Sequence, residues 1–178
     1  MKYIATEIVH AFANVEYPGD WCLRESDEGL EPFAVERAFR GKDDWRSLDH
    51  DFLDGAPDGL GSALSFFSDE AFRFYIPAYL IAYLSGSLQR SDPIFAMTHG
   101  LGDRDHKERI NERRYGERTW GDAATYKHSI FDCKQVKAIV LFLQHCCLIE
   151  EVYEAAQIQQ ALDRYWLPRY AELAQQGN

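Results

Sequence analysis

Apolar residues recur at intervals of three and four positions along much of the chain, which is the spacing of one face of an α-helix. The first such segment carries Ile4, Ile8, Ala11 and Phe12, and it predicts a helix that ends near Asn14. No segment alternates apolar and polar residues with a period of two over the length of a strand. The pattern therefore predicts an all-α fold.

The next segments predict two short helices and a turn-rich connection. Residues 31–40, EPFAVERAFR, place Pro32 in the first turn of a helix, where its missing N–H costs nothing, and Gly41 follows the end. Apolar residues within 45–53 recur at helical spacing and predict a second short helix. The run DGAPDGLGS, residues 54–62, consists largely of turn-forming residues.

The most apolar part of the chain predicts a central helix. Twelve of the fourteen residues from 71 to 84 are apolar, and Ser68 is a good N-cap in front of them. A helix that is apolar on every side lies in a core. Pro77 is expected to kink it, since proline cannot donate to the preceding turn. Arg73 is expected to be buried, and a buried guanidinium needs a carboxylate or several carbonyl oxygens within hydrogen-bond reach.

The second half of the chain begins with a charged stretch and ends with two more helices. Residues 90–130 are expected to form a charged excursion over the surface. Asp132 and Gln135 form a capping-box pattern that predicts the start of a helix. The last helix is expected to end at Pro168, and its apolar positions are Val152, Ala155, Ile158, Leu162 and Trp166. We therefore expect residues 1–178 to form a single domain of six to eight helices around the Pro-kinked central helix.

Composition narrows the class of protein. The chain has 178 residues, of which 46% are hydrophobic and 27% charged, as in globular domains. No apolar run is long enough for a membrane span, and the N-terminus lacks the layout of a secretory signal. No C-x-x-C pair occurs among the four cysteines, which are Cys22, Cys133, Cys146 and Cys147. We expect four reduced thiols in a cytoplasmic protein, with no cofactor.

One segment resembles a known family. The sequence SFFSDEAFRFYIPAYLIAYL, residues 65–84, is similar to the signature of an uncharacterised bacterial family in which S-x-E-A-F-R-[FY]-Y-[IL]-P-A-Y-L recurs. Trp45 in a short upstream helix, and a late helix pair that opens at residues 132–135 and includes 161–166, are further similarities. The resemblance implies a bacterial protein with a single domain, and it brings no activity with it.

The distribution of charge suggests a type of partner. The formal net charge is −10, and residues 1–70 hold 16 Asp and Glu against 6 Lys and Arg. Such acidity disfavours nucleic acid and favours a basic protein as partner. We expect a non-catalytic protein-binding domain, in its most concrete form an immunity- or antitoxin-like inhibitor, while a surface that serves only solubility is the plainer interpretation. The expected partner-binding residues are Asp43, Asp44, Asp49, Asp51 and Asp54. The oligomeric state stays open.

A metal-dependent function is the alternative. The loop HGLGDRDH contains His99, Asp103, Asp105 and His106, residue types that ligate transition metals, although the same composition is common in ordinary loops. The acidic run 43–58 does not match the spacing of a calcium-binding EF-hand. The sequence contains none of the motifs G-x-S-x-G, H-E-x-x-H or G-x-G-x-x-G. Basic residues within 104–118 alternate with acidic ones that pair at helical spacing, so we expect a solvated segment there.

Overall fold

The computed structural model describes residues 1–176, which form helices and no β-strand. The all-α prediction is confirmed. Within the described residues, extended backbone pairs only at two isolated β-bridges, which join Arg24 to Phe67 and Arg109 to Thr119. The chain divides into two compact units, Met1–Ala96 and Met97–Asn178. The grouping of both into a single domain stays a prediction.

Ten α-helices follow one another in the described chain, and seven of them have nine or more residues. They are α1 (Lys2–Ala11), α2 (Glu31–Phe39), α3 (His50–Gly55), α4 (Asp69–Leu84), α5 (Pro93–Thr98), α6 (Glu112–Tyr115), α7 (Trp120–His128), α8 (Cys133–Ile149), α9 (Val152–Ala161) and α10 (Leu167–Gln176). Short 3₁₀ turns cover Asp20–Cys22, Trp45–Ser47 and Ala63–Ser65, and a π-helical turn, Leu162–Trp166, joins α9 to α10.

Helix α4 is the core of the first unit, as predicted. The Ser68 hydroxyl accepts a hydrogen bond from the Ala71 N–H at 3.1 Å and caps the helix. Helices α1 and α3 and the turn at 45–47 contact α4. The rings of Phe39, Phe67 and Tyr75 pack against one another with centroids 4.7 to 5.1 Å apart. Burial of this aromatic cluster supplies much of the hydrophobic stabilisation of the unit.

The position of Arg73 differs from the expectation that it is buried. Its side chain has intermediate exposure, while its neighbours Phe72 and Phe74 are buried. Glu70 and Ile81, which are exposed and half-exposed, share its helical stripe at intervals of three and eight residues. One stripe of α4 is therefore only partly covered, and the guanidinium lies on it. The helix is buried on most of its circumference, not on all of it.

The helix predicted over 45–53 is two separate elements, because two aspartates interrupt it. The Asp44 carboxylate accepts from the Arg46 N–H at 3.0 Å and starts the 3₁₀ turn at 45–47. The Asp49 carboxylate accepts from the Phe52 N–H at 2.7 Å and starts α3. Aspartate competes for backbone N–H groups and so favours helix starts over helix interiors.

Helix α8 organises the second unit, and its predicted start is confirmed. The Asp132 carboxylate accepts from the Gln135 N–H at 3.0 Å, and the Gln135 side chain accepts in return from the Asp132 N–H at 3.2 Å. This is the reciprocal capping box that the sequence predicts. Helices α9 and α10 and the π-helical turn pack against α8.

The expectation that the last helix ends at Pro168 is wrong. The chain passes from α9 through the π-helical turn into α10, which contains Pro168 near its start. The Leu167 N–H reaches the Leu162 carbonyl five residues back, so the hydrogen-bond register shifts just before the proline. Pro168 has no N–H to donate, but it follows directly on this shift, where the regular hydrogen-bond pattern of the helix is already interrupted. The helix therefore continues past the proline.

The region 90–130 contains three helices within the charged stretch. Helix α7 begins with a second capping box, in which the Thr119 hydroxyl accepts from the Asp122 N–H at 3.1 Å and the Asp122 carboxylate accepts from the Thr119 N–H at 2.9 Å. The helix ends at His128, which is 1% exposed. The His128 ring lies among Phe131, Tyr165 and Trp166, and burial foremost lowers its pKa to about 3.

Candidate functional site

The acidic segment, defined here as residues 43–58, is the first surface with a distinctive charge. It contains six aspartates and one basic residue, Arg46. Five of the aspartates are exposed: Asp43, Asp44, Asp49, Asp51 and Asp58. Four of the five residues that the sequence analysis assigned to partner binding therefore lie at the surface of the first unit.

Local structure uses some of these carboxylates without cancelling their charge. Asp44 and Asp49 cap the two short helical elements by accepting hydrogen bonds from backbone N–H groups, which carry no formal charge. Arg46 lies 3.3 Å from Asp44, and Arg37 lies 3.8 Å from Asp58. Such exposed ion pairs are weak. The segment keeps a net negative charge at neutral pH.

Asp54 differs from its neighbours because its carboxylate binds the backbone of a distant segment of the first unit. Its carboxylate accepts hydrogen bonds from the Arg90 N–H at 2.7 Å and the Ser91 N–H at 2.9 Å. Burial tends to raise the pKa of Asp54, but the backbone hydrogen bonds outweigh it and the pKa is lowered. The buried Ser91 hydroxyl oxygen lies 3.0 Å from the carbonyl oxygens of both Leu53 and Gly61, so two acceptors share its one proton. Asp54 therefore closes a loop inside the first unit.

The candidate metal loop, residues 99–106, contains one histidine–carboxylate pair. His99 Nδ1 lies 3.0 Å from Asp105 Oδ2, and the same oxygen accepts from the Gly100 N–H at 2.9 Å. The His99 ring packs beside Trp120 with the centroids 4.8 Å apart. His106 Nδ1 lies 3.2 Å from the Gly100 carbonyl oxygen. These contacts fold the loop onto itself.

Two glycines let this loop approach the start of α7 closely. Gly100 has φ +80°, and a Cβ there would lie 2.5 Å from the Trp120 carbonyl oxygen. A Cβ on Gly121 would lie 2.2 Å from His106 Nδ1. Both positions therefore need glycine for contact between the loop and the helix.

Asp103 points to a different part of the second unit from Asp105. Its carboxylate accepts a hydrogen bond from Arg164 in the π-helical turn, and its N–H donates to Gln160 Oε1 at 2.9 Å. Within residues 1–176, His, Cys, Asp and Glu side chains form no group of three that could hold a metal ion. The four candidate ligands are thus divided between a histidine–carboxylate pair, a backbone contact and an ion pair.

The cysteines are free in the described chain. Burial foremost raises the pKa of the Cys22 thiol, with Glu70 Oε2 at 3.6 Å from Sγ adding to the shift. Burial also raises the pKa of Cys147. A raised pKa reduces the thiolate fraction, so neither of these two thiols has the environment of an activated nucleophile.

An exposed apolar cluster at the turn between α8 and α9 was missed in the sequence analysis. We name it the hairpin tip, and its members with their exposed fractions are Leu148 (84%), Ile149 (57%), Val152 (89%) and Tyr153 (61%). Val152 is the first of the apolar positions predicted for the last helix and is exposed, whereas Ile158, Leu162 and Trp166 of the same predicted stripe are buried. The sequence does contain a signal for this exposure, since apolar residues run without a break up to the turn. A helix with one buried stripe needs apolar residues only every three or four positions, so some residues of that run face solvent.

Comparison with known proteins gives one match. A model of a family of unknown function, DUF6714, matches residues 2–170. No curated protein matches the chain. No solved structure matches it either. Within residues 1–176, no helix has both the length and the apolarity that a membrane crossing needs. Since the match extends over nearly the whole chain, the protein belongs to the family of unknown function DUF6714.

Proposed function

We propose that this protein is a non-catalytic domain that binds a basic protein partner through the acidic segment. The observation that carries the proposal is the exposure of Asp43, Asp44, Asp49, Asp51 and Asp58 within sixteen residues that contain a single arginine. Complementary charge raises the rate of association and selects among partners. Asp54 is not part of this surface, because its carboxylate is used by the backbone of residues 90 and 91.

The most specific form of the proposal is an immunity- or antitoxin-like inhibitor in the cytoplasm of a bacterium. A small acidic domain suits this role because a toxin that attacks nucleic acid or anionic substrates carries a basic surface. An inhibitor needs no catalytic group of its own, only a surface that complements that of its target. The acidic segment supplies such a surface on short elements fixed by aspartate caps.

The first experiment captures the partner. The purified chain is immobilised and exposed to lysate of its native host at about 50 mM and about 500 mM salt, with a variant in which Asp43, Asp44, Asp49 and Asp51 are changed to Asn as the comparison. We expect a basic protein retained by the wild type at low salt and lost by the variant. Equal retention by the variant contradicts the proposal.

The variant is designed to remove charge without removing structure. Asparagine caps helices about as well as aspartate, so Asp44→Asn and Asp49→Asn keep their bonds to Arg46 and Phe52. A matched control changes four exposed carboxylates of the second unit, and it combines Glu108→Gln, Glu117→Gln, Asp163→Asn and Glu172→Gln. Both variants change the net charge equally, so only the position of the charge distinguishes them.

A second candidate function is metal binding at residues 99–106. The observation in its favour is the contact of His99 Nδ1 with Asp105, since a carboxylate on one ring nitrogen orients a histidine whose other nitrogen binds metal. Addition of Zn²⁺ or Co²⁺ tests it. Binding to the folded chain raises the melting temperature, and His99→Gln abolishes the rise. A melting temperature that the metals leave unchanged removes this candidate.

A further inference from the structure

The hairpin tip combines exposed apolar side chains with acidic neighbours. Leu148 and Ile149 end α8, and Val152 and Tyr153 begin α9 after a two-residue turn. Glu151 and Glu154 are exposed beside them, and Glu150 lies in the turn. Four large exposed apolar residues therefore lie within six positions at one end of a helical hairpin. Clusters of exposed apolar residues mark interaction sites, whereas single exposed apolar residues are ordinary.

Local stability explains the acidic residues but not the apolar ones. Glu151 and Glu154 lie at the start of α9, where the helix dipole favours negative charge. The apolar quartet has no such role, because the core of the hairpin is already filled by other residues of α8 and α9, among them Leu143, Cys146 and Ile158. Exposed apolar residues without a structural role are expected at functional surfaces.

Charge decides which partner suits this patch. From Ala138 to Asp163 the chain contains four acidic residues and no lysine or arginine. An anionic membrane would be repelled by such a surface. A second copy of this chain would bring like charges together across a symmetric interface. A partner segment with both apolar and basic residues could cover the exposed apolar side chains and pair with the neighbouring glutamates.

We propose that the hairpin tip, Leu148, Ile149, Val152 and Tyr153 with Glu151 and Glu154, is a docking site for a basic amphipathic helix of another protein. The apolar residues of that helix, spaced at three and four positions, cover the quartet, and its lysines or arginines face the two glutamates. The hairpin tip belongs to the second unit and the acidic segment to the first. The docking proposal does not depend on the function proposed for the acidic segment.

The test uses a synthetic peptide as the probe. The peptide consists of leucine and lysine, with leucines at the positions i, i+3, i+4 and i+7 of successive turns. Its binding to the full chain is followed by the backbone amide signals in nuclear magnetic resonance spectra. We expect shifts centred on residues 148–154. The double variant Leu148→Ser with Val152→Ser is expected to weaken binding at least about tenfold.

Two controls, a second pair of leucine substitutions and a scrambled peptide, show whether binding is specific to the hairpin tip. Leu30 and Leu60 are exposed leucines of the first unit, at 83% and 63%, so Leu30→Ser with Leu60→Ser should leave peptide binding unchanged. A scrambled peptide of the same composition should not bind at the tip. The proposal is overturned if the tip variant binds the peptide as well as the wild type, or if the scrambled peptide binds equally well. It is also overturned if the shifts are confined to residues 43–58, or if the chain self-associates and the tip variant abolishes that self-association. Shifts confined to residues 43–58 would support the acidic segment while removing the tip.

Discussion

The Ser91 N–H donates a hydrogen bond of 2.9 Å to the carboxylate of Asp54, although 37 positions separate the two residues. The contact joins the end of α3 to the chain before α5 within the first unit. It gives Asp54 a structural role that its neighbours in the acidic segment do not share. Aspartates that look equivalent in sequence therefore divide into one that holds the backbone and five that face solvent.

The first prediction concerns this division. Asp54→Ala is expected to lower the free energy of unfolding by about 1–2 kcal/mol, since two backbone donors lose a partly exposed charged acceptor. Asp51→Ala, at an exposed position, is expected to stay within about 0.5 kcal/mol of the wild type. Urea unfolding of both variants measures the difference. Equal stability of the two would show that the contacts to residues 90 and 91 contribute little.

Arg73 provides a prediction that differs from the one made for a buried arginine. Because its side chain lies on the partly covered stripe of α4, Arg73→Ala is expected to cost about 1 kcal/mol or less. Phe72→Ala, at a fully buried neighbour, is expected to cost about 3–5 kcal/mol. Thermal unfolding compares them directly. A loss at Arg73 as large as that at Phe72 would mean that the guanidinium forms an essential buried pair.

The buried His128 predicts a dependence of stability on pH. The unfolded chain binds a proton on this histidine below about pH 6.5, whereas the folded chain resists protonation down to about pH 3 because of burial and, to a lesser degree, Lys127. The free energy of unfolding should therefore fall as pH drops below 6.5, by at most about 1.4 kcal/mol per pH unit, and stay level above it.

Unfolding measured from pH 7.5 to pH 5 in wild type and His128→Phe isolates this effect. The substitution keeps an aromatic ring among Phe131 and Trp166 and removes the titrating group. The variant is expected to lose most of the slope between pH 6.5 and pH 5. His10→Gln, at an exposed position, is the control and is expected to keep the slope. An identical slope in His128→Phe and the wild type would contradict the assignment.

Gly121 provides the fourth prediction. A Cβ at this position would lie 2.2 Å from His106 Nδ1, so Gly121→Ala must displace the loop from α7. The expected cost is about 1–3 kcal/mol, with faster amide hydrogen exchange in residues 99–106. Gly55→Ala is the matched control, because a Cβ there would meet nothing within 4 Å beyond its chain neighbours and the backbone of its own helix, and its φ is not positive. That change is expected to be neutral or to stabilise by about 0.5–1 kcal/mol.

The sequence predicts those elements whose signals are local. The Asp132 and Gln135 capping box predicts the start of helix α8. The Ser68 cap and an almost unbroken apolar run predict helix α4. Helix α7 was missed because its box uses Asp122 where a glutamate or glutamine is usual. Pro168 was misread because the register shift that accommodates it, the π-helical turn, leaves no recognisable trace in the sequence.

The candidate sites could be predicted only in part, because hydrogen bonds between distant residues decide them. Asp103 and Asp105 are two positions apart, yet one contacts Arg164 and the other contacts His99. Nothing in the spacing of the loop indicates this division. The exposed hairpin tip is hidden for a similar reason, since helical periodicity alone cannot show which side of α9 faces α8.

The rate at which the captured basic partner associates with the protein tests the central claim most directly. Stopped-flow measurements at about 50 mM and about 500 mM salt compare the wild type, the four-aspartate variant of the acidic segment and the control variant of the second unit. We predict that association of the wild type slows at least about tenfold as salt rises, that the acidic-segment variant is already slow at low salt, and that the control variant follows the wild type. An association rate that neither salt nor the four asparagines change would contradict a role for the acidic segment in binding.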